Sequence, residues 1–410
     1  MILNYIWVTF FLLAFAVALL KLIFFQDFEV FPAMLNSTFD MAKTGFELSL
    51  YLTGVMSLWL GIMKIGEKSG VVHILAKAFG PFFTRLFPGV PNDHPATGSI
   101  IMNFSANMLG LDNAATPLGL KAMKEMQELN PDKETATNAQ IMFLALNTSG
   151  FTIIPIAIIL DRSILGAANP TDIFIPTLIA TSVSTLAAMF TVSIYQRINL
   201  FDRVFLSYLV GFSALIIGAV YYFISLPQAE LTVQSNLISS FIIISIIISF
   251  LLLGLYRKLP LYETFVEGAK EGFEISIKII PYLIAILVAI GMFRSSGTLD
   301  YVTGGIGWAF AAAGFNTDFV DALPVALLKP LSGGAAKGMM VETVKTFGPD
   351  SFTGRLASIL RGCTETTFYI LAVYFGSVNI RKTRYALTVG LIADVVGVIA
   401  GIFVAYLFFH

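Results

Sequence analysis

Long apolar runs alternate with short polar breaks along most of this chain. A run of about 18 or more apolar residues is long enough to cross a bilayer core. Nine stretches read that way: Tyr5–Phe25, Gly45–Met63, Gln140–Leu160, Ile173–Tyr195, Val204–Ile224, Leu237–Leu255, Ile275–Phe293, Arg355–Phe375 and Tyr385–Phe408. Two regions break the rhythm. The first begins at Gly70–Phe87, where Lys77 and Arg85 punctuate an apolar helical pattern. That pattern predicts a helix lying in the interface with its charged heads in water. His94–Met126 follows and reads as two short helices. The first arm, Ala96–Leu109, is apolar apart from Asn103, Ser105 and Asn107; the break is Gly110–Asn113. The second arm starts at Ala114 and carries Pro117 in its first turn, where a missing N–H costs little. Each arm is about 14 residues, roughly 20 Å at helical rise, against a bilayer core of about 30 Å. Two such arms predict a re-entrant hairpin with its tip near the midplane. Backbone at that depth is tolerated only when buried in protein or lining a cavity, and such cavities are commonly transport sites.

The second region, after the seventh run, repeats this plan. Leu299–Gly314 has the interfacial pattern, Phe319–Leu331 is one arm, Ser332-Gly333-Gly334 the break, and Ala335–Phe347 the other arm. The residues themselves recur. A-K-T-G-F-E-L-S-L at 42–50 returns as A-K-E-G-F-E-I-S-I at 269–277, an offset of 227 that also carries Ser105 onto Ser332. N-T-S-G-F at 147–151 returns as T-E-T-T-F at 364–368, an offset of 217; the polar loop Glu128–Asn138 absorbs most of the difference. This is an internal repeat. Its second and seventh runs lie five crossings apart, and an odd number inverts one copy relative to the other. The expected fold is an all-α polytopic membrane protein of two inverted repeats, each with an interfacial helix, a re-entrant hairpin and about four spans. Residues 1–196 form the first repeat and 231–410 the second. Between them, 197–230 is a connector whose extra span, Val204–Ile224, keeps the halves opposed.

Charge orients this arrangement. With the N-terminus inside, the inner loops collect Lys64, Lys68, Lys121, Lys124, Arg197, Arg257, Lys258 and Arg381 among others, and the outer segments hold far fewer basic residues. The positive-inside rule then places the N-terminus in the cytoplasm and the C-terminus outside, in a bacterial inner membrane. Composition agrees, with 57% hydrophobic residues, 12% charged residues and a mean hydropathy of +0.82. The first 25 residues lack a basic n-region and a small-residue cleavage site, so they read as a retained span. A net charge of −1 gives no basic footprint for nucleic acid. The single cysteine, Cys363, excludes an intrachain disulfide framework, and three scattered histidines suggest no metal site. No nucleophile–base pair, phosphate loop or dinucleotide fingerprint is visible, so the chain does not read as an enzyme.

Four polar clusters converge if both hairpins reach the midplane. The first tip offers Asn103, Ser105, Asn107, Asp112, Asn113 and Thr116. The second offers Ser332, Gly333, Gly334 and Lys337, with Lys329 one turn earlier. The third run offers Asn147, Thr148 and Ser149, and the eighth Thr364, Glu365, Thr366 and Thr367. The second arms present helix N-termini near Ala114 and Ala335, whose free N–H groups suit an oxygen-rich or anionic ligand. Lys337 would strengthen that preference. Asp112 and Glu365 would pair with Lys337, bind a coupling Na⁺, or shuttle H⁺. Bland readings stand beside these. The glycines and serines also suit tight turns and close helix packing. Thr148, Ser149, Thr366 and Thr367 also suit bonds to carbonyls one turn back. Glu47 and Glu274 lie four residues from Lys43 and from Lys270 or Lys278, the spacing of ordinary helical ion pairs. Asp394 has no counterpart in the first copy and is left unassigned.

At these residues the chain resembles a known family. N-F-S-A-N-M-L-G-L-D-N-A-A-T-P-L-G-L-K-A-M resembles spore maturation protein A. F-V-E-G-A-K-E-G-F-E, I-I-P-Y-L-I-A-I-L-V-A-I-G-M-F-R-S-S-G, L-K-P-L-S-G-G-A-A-K-G and C-T-E-T-T-F-Y-I-L-A-V-Y-F-G-S-V resemble spore maturation protein B. The two look fused here, with the unmatched span as joint. Both are similar to the nucleoside recognition, or gate, group, which looks related to the membrane domains of ferrous iron transporter B and of concentrative nucleoside transporters. In the latter, the substrate sits between two hairpin tips and two partly unwound helices. The resemblance therefore implies ligand-side positions for Asn107, Asp112, Asn113, Asn147, Ser332, Gly333 and Glu365. It implies transport of a small polar or anionic solute, nucleoside-like compounds included, by alternating access with Na⁺ or H⁺ coupling and no other cofactor. Two alternatives are a non-transporting scaffold in envelope maturation and a metal-ion permease, for which Met108 and Cys363 are the nearest soft donors. The expected partners are the solute and the lipid bilayer, and self-association is common in this group.

Overall fold

A computed structural model of the chain describes residues 2–91, 93–109, 112–153, 155–199 and 202–410. Among the described residues every regular element is helical, and the one β-type contact is an isolated bridge between Thr135 and Lys382. The helices of the first part are α1 (Ile2–Phe25), α2 (Val30–Lys68), α3 (Val71–Leu86), α4 (Pro95–Met108), α5 (Asp112–Glu128), α6 (Asn138–Ser149), α7 (Ile156–Ile164) and α8 (Phe174–Gln196). Then come α9 (Arg203–Ile224), α10 (Gln228–Tyr256), α11 (Leu261–Ser295), α12 (Thr298–Ala312), α13 (Leu323–Leu328), α14 (Gly333–Phe347), α15 (Phe352–Gly362), α16 (Thr367–Ser377) and α17 (Ala386–Phe409). Among these, the stretches Trp7–Phe25, Phe174–Gln196 and Ala386–Phe409 are long and apolar enough to cross a membrane. The chain is a helical membrane protein.

The structure corrects several expected elements. The stretches Gln140–Leu160 and Arg355–Phe375 are each two helices with an unwound middle, α6–α7 and α15–α16. Gly150, at φ +66°, ends α6 in the left-handed region, where glycine carries no Cβ penalty. Both breaks lie on the repeated N-T-S-G-F and T-E-T-T-F stretches. The first arm of the second hairpin is shorter than Phe319–Leu331: a 3-10 turn at Val320–Ala322 leads into the six-residue α13. Ser332 caps α14 by accepting the Ala335 N–H at 3.2 Å, so Gly333 and Gly334 belong to its first turn and not to the break. In the first hairpin α5 begins at Asp112, two residues before Ala114; Gly110 and Leu111 lie outside the described residues.

The longest helices, α2 and α11, lie side by side. At 39 and 35 residues they run roughly 50–60 Å, long enough to carry charged ends beyond a core of about 30 Å. Lys68 meets Glu267 at one such end, 2.5 Å apart. Glycines bring the backbones together. A Cβ on Gly45 would stand 2.9 Å from Ile284, and one on Gly272 would stand 2.8 Å from the Ser57 Cα. Gly45 and Gly272 are the glycines of the repeated K-x-G-F-E motif, and Ser57 and Ile284 are also 227 apart. The crossing is therefore made by the same two motif positions, read once in each direction.

Beside this pair, α17 lies against α8, α6 and α15, with the hairpins α4–α5 and α13–α14 flanking them, while α1 packs on α11, α10 on α2 and α9 on α3. Two loop junctions hold these parts together. The loop after α5 is stitched to the loop before α17: Ala136 N–H donates to the Lys382 carbonyl (3.0 Å), and Arg381 and Lys382 N–H donate to the Glu134 carbonyl (2.9 Å each). The loop after α14 is held to the α7–α8 region by ions: Arg162 pairs with Asp172 at 2.9 Å and donates to the Pro349 carbonyl at 2.7 Å, and Arg355 pairs with Asp172 at 2.7 Å.

Candidate functional site

The site forms where the two unwound stretches cross. Backbone groups freed by a helix break need new partners, and here the breaks supply one another. Glu365 N–H donates to the Thr148 carbonyl (2.9 Å). Each break is also tied to a hairpin: Ile153 N–H donates to the Met108 carbonyl at the end of α4 (2.8 Å), and Phe368 N–H to the Pro330 carbonyl beyond α13 (3.0 Å).

Side chains extend these ties. Asn103 donates across the first hairpin to the Ala115 carbonyl (2.8 Å). One turn on, Asn107 donates to Asn147 Oδ1 (2.9 Å), which also accepts the Tyr374 hydroxyl (3.4 Å). Asn147 turns its own amide back to the Phe143 carbonyl (2.9 Å). Gly119 on α5 leaves space for the Tyr374 ring, since a Cβ there would collide with the phenol oxygen. The result is a cleft of about 190 Å³ lined by Asn107, Thr116, Asn147, Glu365, Tyr369 and Tyr374, with apolar walls from Ala115, Ile370 and Val373. Glu365 is half-exposed in this cleft, and its cation is Lys329, with Nζ 3.6 Å from Oε2.

Of the residues singled out in the sequence, Asn107, Thr116, Asn147 and Glu365 are brought together in the cleft. Asn103 is buried and braces the hairpin. Ser105 is buried and its hydroxyl has no partner. Thr148 and Ser149 bond carbonyls three residues back, as the bland reading has it, and Ser149 also accepts from Thr185 at 3.0 Å. Ser332 is a helix cap. Gly333 lies against Thr366, where a Cβ would meet the hydroxyl oxygen at 2.9 Å, and Gly334 is exposed. Thr364, Thr366 and Thr367 are buried. The side chains of Asp112 and Asn113 lie outside the described residues.

Lys337 is not in the cleft. It pairs with Asp161 of α7 at 2.7 Å, and Arg361 approaches the same carboxylate at 3.7 Å. Pairing of Glu365 with Lys337 is thus replaced by two separate pairs. Sequence reasoning also passed over Tyr369 and Tyr374, which line the cleft, and Asp161, which anchors Lys337. An Asp-Arg dipeptide at the end of an apolar run was the available signal for the last.

A family described as Gate, nucleoside recognition, matches residues 49–163 and 276–381, together more than half of the chain. Spore maturation protein B of Bacillus subtilis (strain 168) is 51% identical over 174 residues, which cover 42% of this chain and 96% of that protein. Spore maturation protein A of the same organism is 44% identical over 154 residues, covering 38% of this chain and 79% of that protein. No solved structure matches. The matched residues take in both broken helices as far as Ser163 and Arg381, and therefore the cleft.

Proposed function

We propose a transport role for this chain, which belongs to the Gate, or nucleoside recognition, family and joins counterparts of spore maturation proteins A and B in one polypeptide. A small polar solute binds in the cleft between the broken helices and crosses by alternating access between two inverted halves. The observation that carries this reading is the convergence of Asn107, Thr116, Asn147, Glu365, Tyr369 and Tyr374 on one cavity between interrupted helices. Interrupted helices with polar groups at their breaks are how membrane transporters build solute sites. The reciprocal Gly45–Ile284 and Gly272–Ser57 approaches support a two-fold relation between the halves.

The lining narrows the solute. Lys337, the cation expected to favour an anion, is taken by Asp161, and Lys329 already faces Glu365. What the cleft offers is amides, hydroxyls and one carboxylate, which suit a neutral, hydroxyl- or amide-bearing compound. At about 190 Å³ the cavity is smaller than the ~300–1,000 Å³ of drug-sized sites, so the solute is small or the cleft is partly closed.

The test is a thermal-shift screen of detergent-purified protein against nucleosides, nucleobases, amino acids and sugars, followed by uptake of any hit into proteoliposomes. Binding at 100 times the dissociation constant adds about 2.7 kcal/mol. A hit whose shift disappears in Asn107→Ala and Glu365→Gln, and which is accumulated by vesicles, supports the reading. Binding without uptake, or no hit at all, defeats it.

A further inference from the structure

Asp394 in α17 takes no part in the cleft, yet it sits directly behind it. It is 4% exposed. Its Oδ2 accepts the Thr367 hydroxyl at 2.7 Å, at the first residue of α16. Its Oδ1 is buried and makes no hydrogen bond of ordinary geometry, the Thr364 hydroxyl being the other polar group beside the carboxylate. Small residues bring α17 against the crossing. One turn before Asp394, a Cβ on Gly390 would crowd Thr367, with Thr148 beyond; one turn after, a Cβ on Gly397 would crowd Thr364 and Ser184.

The ionisable groups facing Asp394 among the described residues are Lys329, Glu365 and the buried Cys363 thiol. From α6 and α8 the Thr148 methyl and the Ser184 Cβ approach this stripe of α17, and the Ser184 hydroxyl donates to the Ala393 carbonyl at 3.0 Å. One ammonium therefore faces two carboxylates, and in this structure Lys329 is paired with Glu365. An ionised carboxylate this deep, with only the Thr367 and Thr364 hydroxyls beside it and no cation of its own, is too costly to persist. Oδ1 has no exposed surface on which a hydrated metal ion could sit, whereas a proton needs no space.

We propose that Asp394 is a proton-binding site, and that its proton decides which carboxylate Lys329 neutralises. With the proton on Oδ1, Oδ2 keeps its Thr367 contact and Lys329 stays with Glu365. When the proton leaves, the charge on Asp394 draws Lys329 away, and Glu365 is left unpaired at the cleft. The Asp394–Thr367 bond holds the start of the helix that carries Tyr369 and Tyr374, so both events act on cleft walls. Binding of the proton does not depend on the transport reading; only its use in coupling does.

The test uses the purified full chain in detergent and no solute, so its failure and that of the transport reading are separable. Infrared difference spectra are recorded across a pH titration, with sodium or choline as the only salt. The carbonyl band of an un-ionised carboxylic acid is expected in the wild type near neutral pH, with a loss on alkalinisation. It is expected to be missing in Asp394→Asn, which mimics the neutral acid and keeps the fold. Lys329→Met removes the attracting cation, so the band should persist to higher pH. A thermal-midpoint series gives a second readout. A group that binds its proton more tightly when folded makes stability fall as pH rises. The wild-type midpoint should thus fall as pH rises, and Asp394→Asn should flatten that slope. Identical bands in wild type and Asp394→Asn at every pH would overturn the proposal. So would a band removed by sodium but not by pH, which would make this a metal-ion site.

Discussion

Gly150 lies so close to Glu365 that a Cβ on the glycine would stand 2.9 Å from the Glu365 nitrogen. That nitrogen is the one that donates to the Thr148 carbonyl, so the closest approach of the two unwound stretches is also their hydrogen bond. The glycine meets two demands at once: a φ of +66° and room for a crossing backbone. Replacing it by alanine violates both. A non-glycine residue held in the left-handed region costs about 1–3 kcal/mol, and the contact adds to that. Gly150→Ala should lower the melting midpoint and abolish ligand shifts together. Gly376→Ala, in open space on α16, should do neither.

The α2–α11 crossing is expected to be equally intolerant from either side. Valine at Gly45 would press on Ile284, and valine at Gly272 on the Met56–Ser57 backbone. Each should cut the yield of folded protein in detergent. Gly54 on the same helix α2 meets nothing, and Gly54→Ala is expected to be harmless. Equal tolerance at Gly45 and Gly54 would mean that the close approach is not needed.

Much of this scaffold was legible in the sequence because it follows from periodicity and length. The helices α1, α8, α9 and α17 coincide with their apolar runs to within a few residues, and α3 and α12 fall on the two interfacial patterns. The helix breaks were not legible. Asn147-Thr148-Ser149-Gly150 and Thr364-Glu365-Thr366-Thr367 contain only residues that unbroken membrane helices also tolerate. What stops those helices is tertiary: carbonyls and N–H groups of one break find partners in the other break and in a hairpin. Recurrence of the two stretches marked where to look, without saying that the backbone unwinds there. Lys337 was misplaced for a related reason. Its distance from Ser332 in sequence put it near the tip, but the side chain leaves α14 toward α7, where Asp161 meets it.

That pairing carries its own expectation. Asp161 is 3% exposed and faces two cations, so the partners are not equivalent. Lys337→Met leaves Arg361 to neutralise the carboxylate. Asp161→Ala strands both cations, and breaking a buried pair in this way costs about 3–5 kcal/mol. Asp161→Ala should therefore destabilise clearly more than Lys337→Met. In the double variant the lysine replacement should recover part of the loss. The order of the apparent melting midpoints checks this, and a larger loss in Lys337→Met would contradict it.

The two loop junctions give the sharpest test of inverted halves. The loop after α5 touches the loop before α17, and the loop after α14 touches the α7–α8 region, so each junction needs both of its members on one side of the membrane. Threading the helices with the N-terminus inside satisfies both needs, with the first junction inside and the second outside. Single cysteines report this directly once the buried Cys363 is replaced by alanine. Pro131 in the first loop and Ala313 between α12 and the second hairpin are both exposed. In intact cells, Ala313→Cys should react with a membrane-impermeant maleimide and Pro131→Cys should not; in inside-out vesicles the pattern should reverse. If both sites react from the same side, the hairpins enter from one face, and alternating access between inverted halves cannot be the way this protein works.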